Sequence, residues 1–269
     1  MSQPVPILMY HAVGHAPAAA IRALSVSPEA FAAQMALLAE RGFTPVTTAR
    51  LAAAWRGGPH LPDRPVLITF DDGYRGVHRH ALPVLRRYGF RATVFVTTGW
   101  LRGPYESGGA APDAMLDWRE VDELALGGNE IGGHSHTHPQ LDQIPDEALA
   151  DEVRRCRQII GDRLGRAPES FAYPFGYSDR RVRRSVRDAG FTQAVAVRNA
   201  LARPPQGPFA LRRLTVRPGT RPGEFARLVE GRAVARTYAV DRTLTKGYAL
   251  VRGARRLARR TARTGAGHD

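Results

Sequence analysis

Residues 85–96, "LRRYGFRATVFV", pass from an amphipathic pattern to a β-prone one through a single glycine. A glycine at the end of a helical pattern closes the helix in the left-handed conformation that other residues avoid, and releases the chain into a strand. The same step recurs at residues 37–47 ("LLAERGFTPVT") and 186–197 ("VRDAGFTQAVAV"), each time with Phe directly after the Gly. A fourth, at residues 121–135 ("VDELALGGNEIGGHS"), breaks at Gly127 and Gly128. Ahead of the first step, Ser27 is placed to cap a helix and Pro28 to enter its first turn, with Phe31, Met35 and Leu38 along one stripe. Candidate strands are residues 7–10, 43–46, 66–70, 92–97, 130–133, 171–173 and 192–197. Strands and helices alternating over roughly 200 residues predict an α/β fold with parallel sheet, either a barrel or a doubly wound layer. In both, chemistry gathers at the C-terminal ends of strands.

The chain has 269 residues, 43% of them hydrophobic, enough for one large α/β domain or two small ones with a substantial core. Cys156 is the only cysteine, so it has no intrachain disulfide partner, and any metal must be held by His, Asp or Glu. The opening "MSQPVPILMYHAVGH" carries no basic leader, and its apolar run is too short for a signal peptide. No run of about 18 apolar residues occurs, so the expected location is cytoplasmic. The formal charge of +14 comes almost wholly from arginine, with Lys246 the sole lysine. That bias reads as compositional, and no nucleic-acid partner is expected. From Arg232 to Arg263, however, there are ten basic residues and one acid, Asp241. Within that stretch "YALVRGARRLARRTAR" suits either a solvated terminal helix or peripheral contact with the anionic inner face of a membrane. The expected division is a catalytic domain over 1–230 and a basic tail, helical or disordered, over 231–269.

The polar residues sort onto one rim. The candidate strand ends carry Tyr10-His11, Asp71-Asp72, Thr97-Thr98, His134 to His138 ("HSHTH") and Pro174-Phe175. As packing devices, acids and imidazoles gathered on one face would each need pairing or desolvation. Adjacent carboxylates at a strand end point in different directions, so one can coordinate a cation while the other takes a proton. His134 and His138, four apart, share a face if the chain turns helically after its strand. With one carboxylate they make a two-His, one-acid set that leaves positions open for water. A zinc-like cation lowers the pKa of such water to about 7, within reach of a carboxylate base. In an extended segment His134 and His136 would be the pair instead. Singly, Asp-Asp-Gly is also an ordinary turn and His-x-x-x-His an ordinary helix face. It is the conjunction of strand-DDG, strand-HSHTH and strand-PFG that points to a site.

The motifs "TFDDG" (69–73), "HSHTH" (134–138) and "FAYPFG" (171–176) resemble the successive motifs of the polysaccharide deacetylases, carbohydrate esterase family 4. The resemblance runs from "ILMYHAVG" to "LRRLTV" and leaves the basic tail uncovered. It implies a single catalytic domain folded as an irregular (β/α) barrel of about seven strands. The implied reaction is metal-dependent removal of an N-acetyl group from an acetamido sugar, in a saccharide, glycolipid or polysaccharide. By the same resemblance Asp71 is the general base, and Asp72, His134 and His138 are the metal ligands. Zinc is the expected ion, with other transition metals as alternatives. The backbone N–H of Phe175 is the implied donor to the oxyanion.

Two departures from the family pattern matter. Ala172 stands where many members carry an arginine paired with the base, so Arg213 of "LRRLTV", with Arg212 next, is the candidate to hold Asp71 ionised. No late Leu-x-His motif exists, since only His268 follows His138. "MYHAV" resembles the opening of a branch with shifted motif order, which makes His11 the candidate general acid. Tyr173, Trp118 and Tyr177 are the candidate substrate-binding aromatics, with Trp100 and Tyr105 in nearby rim loops. The alternatives in function are a metal-dependent hydrolase of another non-peptide carbon–nitrogen bond, or a non-catalytic carbohydrate- or membrane-binding protein that kept the scaffold.

Overall fold

The computed structural model describes residues 3–240 apart from 108 and 110. The stretch "YALVRGARRLARRTAR", and with it most of the basic segment 231–269, lies outside the described residues. Seven parallel strands close into a barrel: β1 (Ile7–Tyr10) and, after two short outer strands β2 (Ala12–Val13) and β3 (Ser25–Val26) and a further one, β4 (Thr44–Pro45), the ring members β5 (Pro65–Phe70), β6 (Thr93–Val96), β7 (Glu130–Gly133), β8 (Ser170–Ala172), β9 (Gln193–Val197) and β10 (Leu211–Thr215). β1 closes the ring by pairing with both β5 and β10, in register Leu8 to Ile68 and Leu8 to Leu214. Helices α1 (Pro28–Glu40), α2 (Thr48–Trp55), α3 (Leu82–Arg87), α4 (Trp118–Leu126), α5 (Asp146–Leu164), α6 (Arg180–Asp188), α7 (Pro222–Val229) and the short α8 (Val234–Thr237) follow their strands. None of these helices is long and apolar enough to cross a membrane.

Alternation along the strands decides what faces the barrel axis. Ile7, Leu67, Phe95, Ala172, Val195 and Leu211 form an interior cluster. Their neighbours Leu8, Ile68, Phe70, Val94 and Ile131 face outward and pack under the helices. On β7 the inward place is Gly132, where an added Cβ would lie 2.5 Å from the Phe95 ring; glycine there lets that ring fill the interior. Ser27 caps α1 by accepting from the Ala30 N–H, and Phe31, Met35 and Leu38 are fully buried. Each such side chain contributes ~1.5–3 kcal/mol. Phe31 sits edge-on to Tyr10 at 5.3 Å, which ties α1 to the first barrel strand. The helix-closing glycines Gly42, Gly89, Gly128 and Gly190 all have positive φ, as the sequence predicts.

Two strand expectations need correction. The predicted strand 43–46 shortens to Thr44–Pro45, outside the ring against the start of β5, because Thr47 at once caps α2. The seventh ring member is β10, an unpredicted strand whose Arg212 and Arg213 interrupt the apolar pattern. The core also runs past residue 230: Val234 and Tyr238 are buried in the main cluster, and the Tyr238 hydroxyl donates to the Thr215 carbonyl.

Candidate active site

Strand parity carries His11, Asp71, His134 and Arg213 to the inner side of one barrel end, since each lies an even number of residues from an interior Ile7, Leu67, Gly132 or Leu211. At the end of β5 the Asp71 N–H still donates to Tyr10, and then Asp72 and Gly73 both take left-handed backbone, φ 74° and 93°. The turn sends the two carboxylates apart. Asp71 meets Arg213, whose Nη1 and Nη2 donate to Oδ1 and Oδ2 at 2.6 and 2.7 Å. Arg213 is fully buried, and its Nη1 also donates to Thr69 at 3.2 Å. A buried guanidinium demands such a planar two-oxygen partner. Burial alone would raise the Asp71 pKa, but the charges of Arg213 and His134 hold it below its ordinary value. The cation beside the base therefore comes from β10. Arg212, of opposite parity, is exposed on the outer face.

Asp72 meets the two histidines. Its Oδ1 lies 3.2 Å from His134 Nε2 and 3.3 Å from His138 Nε2, and the three ligand atoms fall within 4.8 Å of one another. His134 Nδ1 is 2.7 Å from the Ala172 carbonyl, a contact in which the ring donates and so turns its bare Nε2 towards Asp72. Asp72 Oδ1 is buried and accepts no hydrogen bond. Protonated rings would hold the Asp72 carboxyl well below the carboxylate range against its burial. Burial lowers the proton affinity of His134, and the contact with Asp72 more than restores it, to above the ordinary histidine value. A divalent cation could take the place of those protons and satisfy the same three atoms. This borderline nitrogen and oxygen donor set fits zinc and its transition-metal neighbours.

His134 to His138 do not turn helically as predicted. Ser135 and His138 have φ of 64° and 61°, and this irregular loop is what brings the two rings together. Glu152 of α5 clamps it by accepting from the His136 and Thr137 N–H groups at 2.9 and 2.8 Å. His136 pairs with Thr98 at 2.9 Å and stays out of the Asp72 set, so the extended alternative is not realised. Four of the seven non-glycine residues with positive φ among the described residues, Asp72, Ser135, His138 and Phe175, lie in these motif loops. Each costs on the order of 1–3 kcal/mol, and such strain concentrates at functional sites.

Phe175 sits at φ 58° in the Pro174–Gly176 turn, and its N–H has no acceptor among the described residues. Its ring is half exposed, 4.8 Å from His138, which Trp100 approaches at 4.8 Å from another side. Tyr177 stacks on Phe175 at 6.0 Å, completing an aromatic row beside the mouth. His11 is half-buried, and its pKa is lowered by burial against the opposing pull of Asp72 and Asp71. Two predicted substrate aromatics are core residues instead. Trp118 is the first residue of α4, turned inward by the Asp117–Glu120 capping box. Tyr173 faces outward from the end of β8, packs on Phe171 and donates to the Phe209 carbonyl. Sequence reasoning missed Tyr74, a buried tyrosine whose hydroxyl pKa is pushed up by burial and by the charge of Asp72. Its place directly after the quoted "DDG" was the available signal.

Comparison with known proteins adds three findings. Residues 58–194 match the family model described as polysaccharide deacetylase. YxkH of Bacillus subtilis (strain 168) is 25% identical over 226 residues, spanning 84% of this chain and 76% of that protein. The poly-beta-1,6-N-acetyl-D-glucosamine N-deacetylase of Escherichia coli (strain K12) is 33% identical over 110 residues, 39% of this chain but only 16% of that enzyme. The Streptococcus pyogenes deacetylase PplD, solved with acetate, superposes with a TM-score of 0.76 over 85% of this chain and 99% of that one, at 24% identity, and so shares the fold.

Proposed function

The chain belongs to the polysaccharide deacetylase family, and from that premise we propose that it is a metal-dependent hydrolase removing the N-acetyl group of an acetamido sugar. One observation carries the reading: a buried Asp72 oxygen with no hydrogen-bond donor, faced by two imidazole nitrogens, next to an Asp71 kept ionised by Arg213. A divalent cation held by Asp72, His134 and His138 would supply Lewis-acid activation of water and of the amide carbonyl.

The chain's own groups then divide the work. Asp71, ionised at neutral pH, accepts the proton of the attacking water while its oxygen adds to the acetamide carbon. The Phe175 N–H donates to the carbonyl oxygen as negative charge develops there. As the carbon–nitrogen bond breaks, the amine nitrogen takes a proton from His11, and acetate and a free amino sugar result. Because burial lowers the His11 pKa, the proton it gives up is most available towards the acid side of neutrality. Trp100, Phe175 and Tyr177 offer ring faces on which a sugar can lie.

Acetate release from N-acetylglucosamine oligomers and from acetamido glycolipids, measured before chelation, after it and after zinc is restored, tests the proposal. Turnover should vanish with the metal and return with it. A full rate in protein shown by elemental analysis to be metal-free would sink it.

A further inference from the structure

Five of the six connections between successive barrel strands carry a helix; the exception joins β9 to β10 through one 3₁₀ turn, Pro204–Gln206. On the outer side of these two strands Ala194, Ala196 and Leu214 are buried, and beside them stand three arginines, Arg183, Arg198 and Arg212. Arg212 projects outward from β10, where its Cα partner on β9 is Ala196. Arg198 follows the last residue of β9 and is exposed. Arg183 reaches from α6, with its Nε donating to Ser178 Oγ at 3.2 Å. Partial burial of its guanidinium, and after it the charges of Arg183 and Arg212, weaken the hold of Arg198 on its proton, so the three lie within one another's field. Among the described residues none of them forms an ion pair with a carboxylate, and Asp179 nearby is engaged in capping α6 through the Val182 N–H.

The cluster adjoins the mouth. Gly176, next to Phe175, packs so tightly on Val197 that a Cβ would lie 2.5 Å from the valine Cβ, and Arg198 is the next residue. Ser178, which holds Arg183, is three residues beyond Phe175, so at most about 11 Å along the chain. Three like charges side by side, with no carboxylate ion pair among the described residues, favour an anion that joins them, and guanidinium forks match carboxylate and phosphate oxygens.

We propose that Arg183, Arg198 and Arg212 bind an anionic group, a carboxylate or a phosphate, carried by the sugar substrate beside the acetamido ring being hydrolysed. This rests on the deacetylase reading and narrows it to acidic glycans or sugar phosphates. Calorimetric titration of the full chain at low salt compares a neutral chitooligosaccharide, a hyaluronan oligosaccharide of matched length and N-acetylglucosamine 1-phosphate. At least one anionic probe should bind roughly tenfold tighter than the neutral one, the factor given by a single charge-assisted contact. The advantage should shrink with added salt, disappear in Arg198→Ala/Arg212→Ala and survive in part in Arg198→Lys/Arg212→Lys. Which probe gains distinguishes carboxylate from phosphate. Equal binding of neutral and anionic probes overturns the proposal, as does an advantage untouched by the double alanine change, or equally tight binding of a single-stranded DNA of matched charge. Acetate release from the same probes is followed in parallel. Its absence from all of them counts against the deacetylase reading, while the binding comparison still decides this one.

Discussion

The barrel holds buried carboxylates at both ends, and they are treated in opposite ways. At the N-terminal end of the strands, Glu130 accepts from the Ala49 N–H of α2 at 2.9 Å, from the Thr93 hydroxyl at 3.1 Å and from the Ser170 hydroxyl. All its partners are neutral, both oxygens are satisfied, and burial pushes its pKa up. At the other end Asp71 is matched to a full positive charge, and Asp72 leaves an oxygen without a donor. A satisfied carboxylate is part of the architecture, whereas an unsatisfied one beside two imidazoles offers the donor set of a cation site. The lesson is that chemistry is recognised by what a buried acid lacks.

The largest expected effects lie at the unsatisfied end. Asp72→Asn should lose bound zinc in elemental analysis and, with it, essentially all acetate release. Asp71→Asn should keep the metal and lose about 10²- to 10⁴-fold in kcat, the range of a removed general base. If both variants keep the metal and differ little in rate, the two aspartates do not divide the work as described. At the satisfied end the loss should be of stability alone. Glu130→Ala strands three donors and should cost about 1–3 kcal/mol in urea unfolding, with kcat per folded molecule unchanged. A catalytic defect in the folded variant would break the contrast between the ends.

The smallest effect concerns pH. Asp71 has a depressed pKa in the folded state, so its contribution to stability is present above its ordinary pKa and is lost as pH falls through the folded value. Glu130 has a raised one, so its contribution is present below its ordinary pKa and is lost as pH rises through the folded value. Urea midpoints of metal-free protein across the acidic range should therefore lose the low-pH decline in Asp71→Asn and the high-pH decline in Glu130→Gln. Slopes unchanged in both would show that neither group is perturbed.

Much of this was legible because it is local. A glycine after an amphipathic run, a serine before a proline and polar pairs at the ends of apolar runs each announce themselves within a few residues. They gave α1, most of the ring strands and the positions of Asp71, Asp72, His134 and His138. What stayed hidden depends on distant partners or on which way a side chain faces. The Glu130 network joins residues about 40 and 80 positions apart in the chain. The strand β10 reads as a polar segment until Arg213 is seen pairing with Asp71 across 142 residues. As candidate substrate aromatics Trp118 and Tyr173 belong at the mouth, yet a capping box and strand parity turn them into the core. The two imidazoles of the HxxxH motif meet through left-handed residues at Ser135 and His138, not through a helical turn.

The phenylalanine lodged over Gly132 gives the barrel a floor. With Ile7, Leu67, Phe95 and Val195 packed in the interior, the proposed reaction is approached from one end of the barrel by sugar, water and acetate alike. Acetate and sugar would then share that approach, so added acetate should slow turnover, an effect that traces back to a missing side chain on β7.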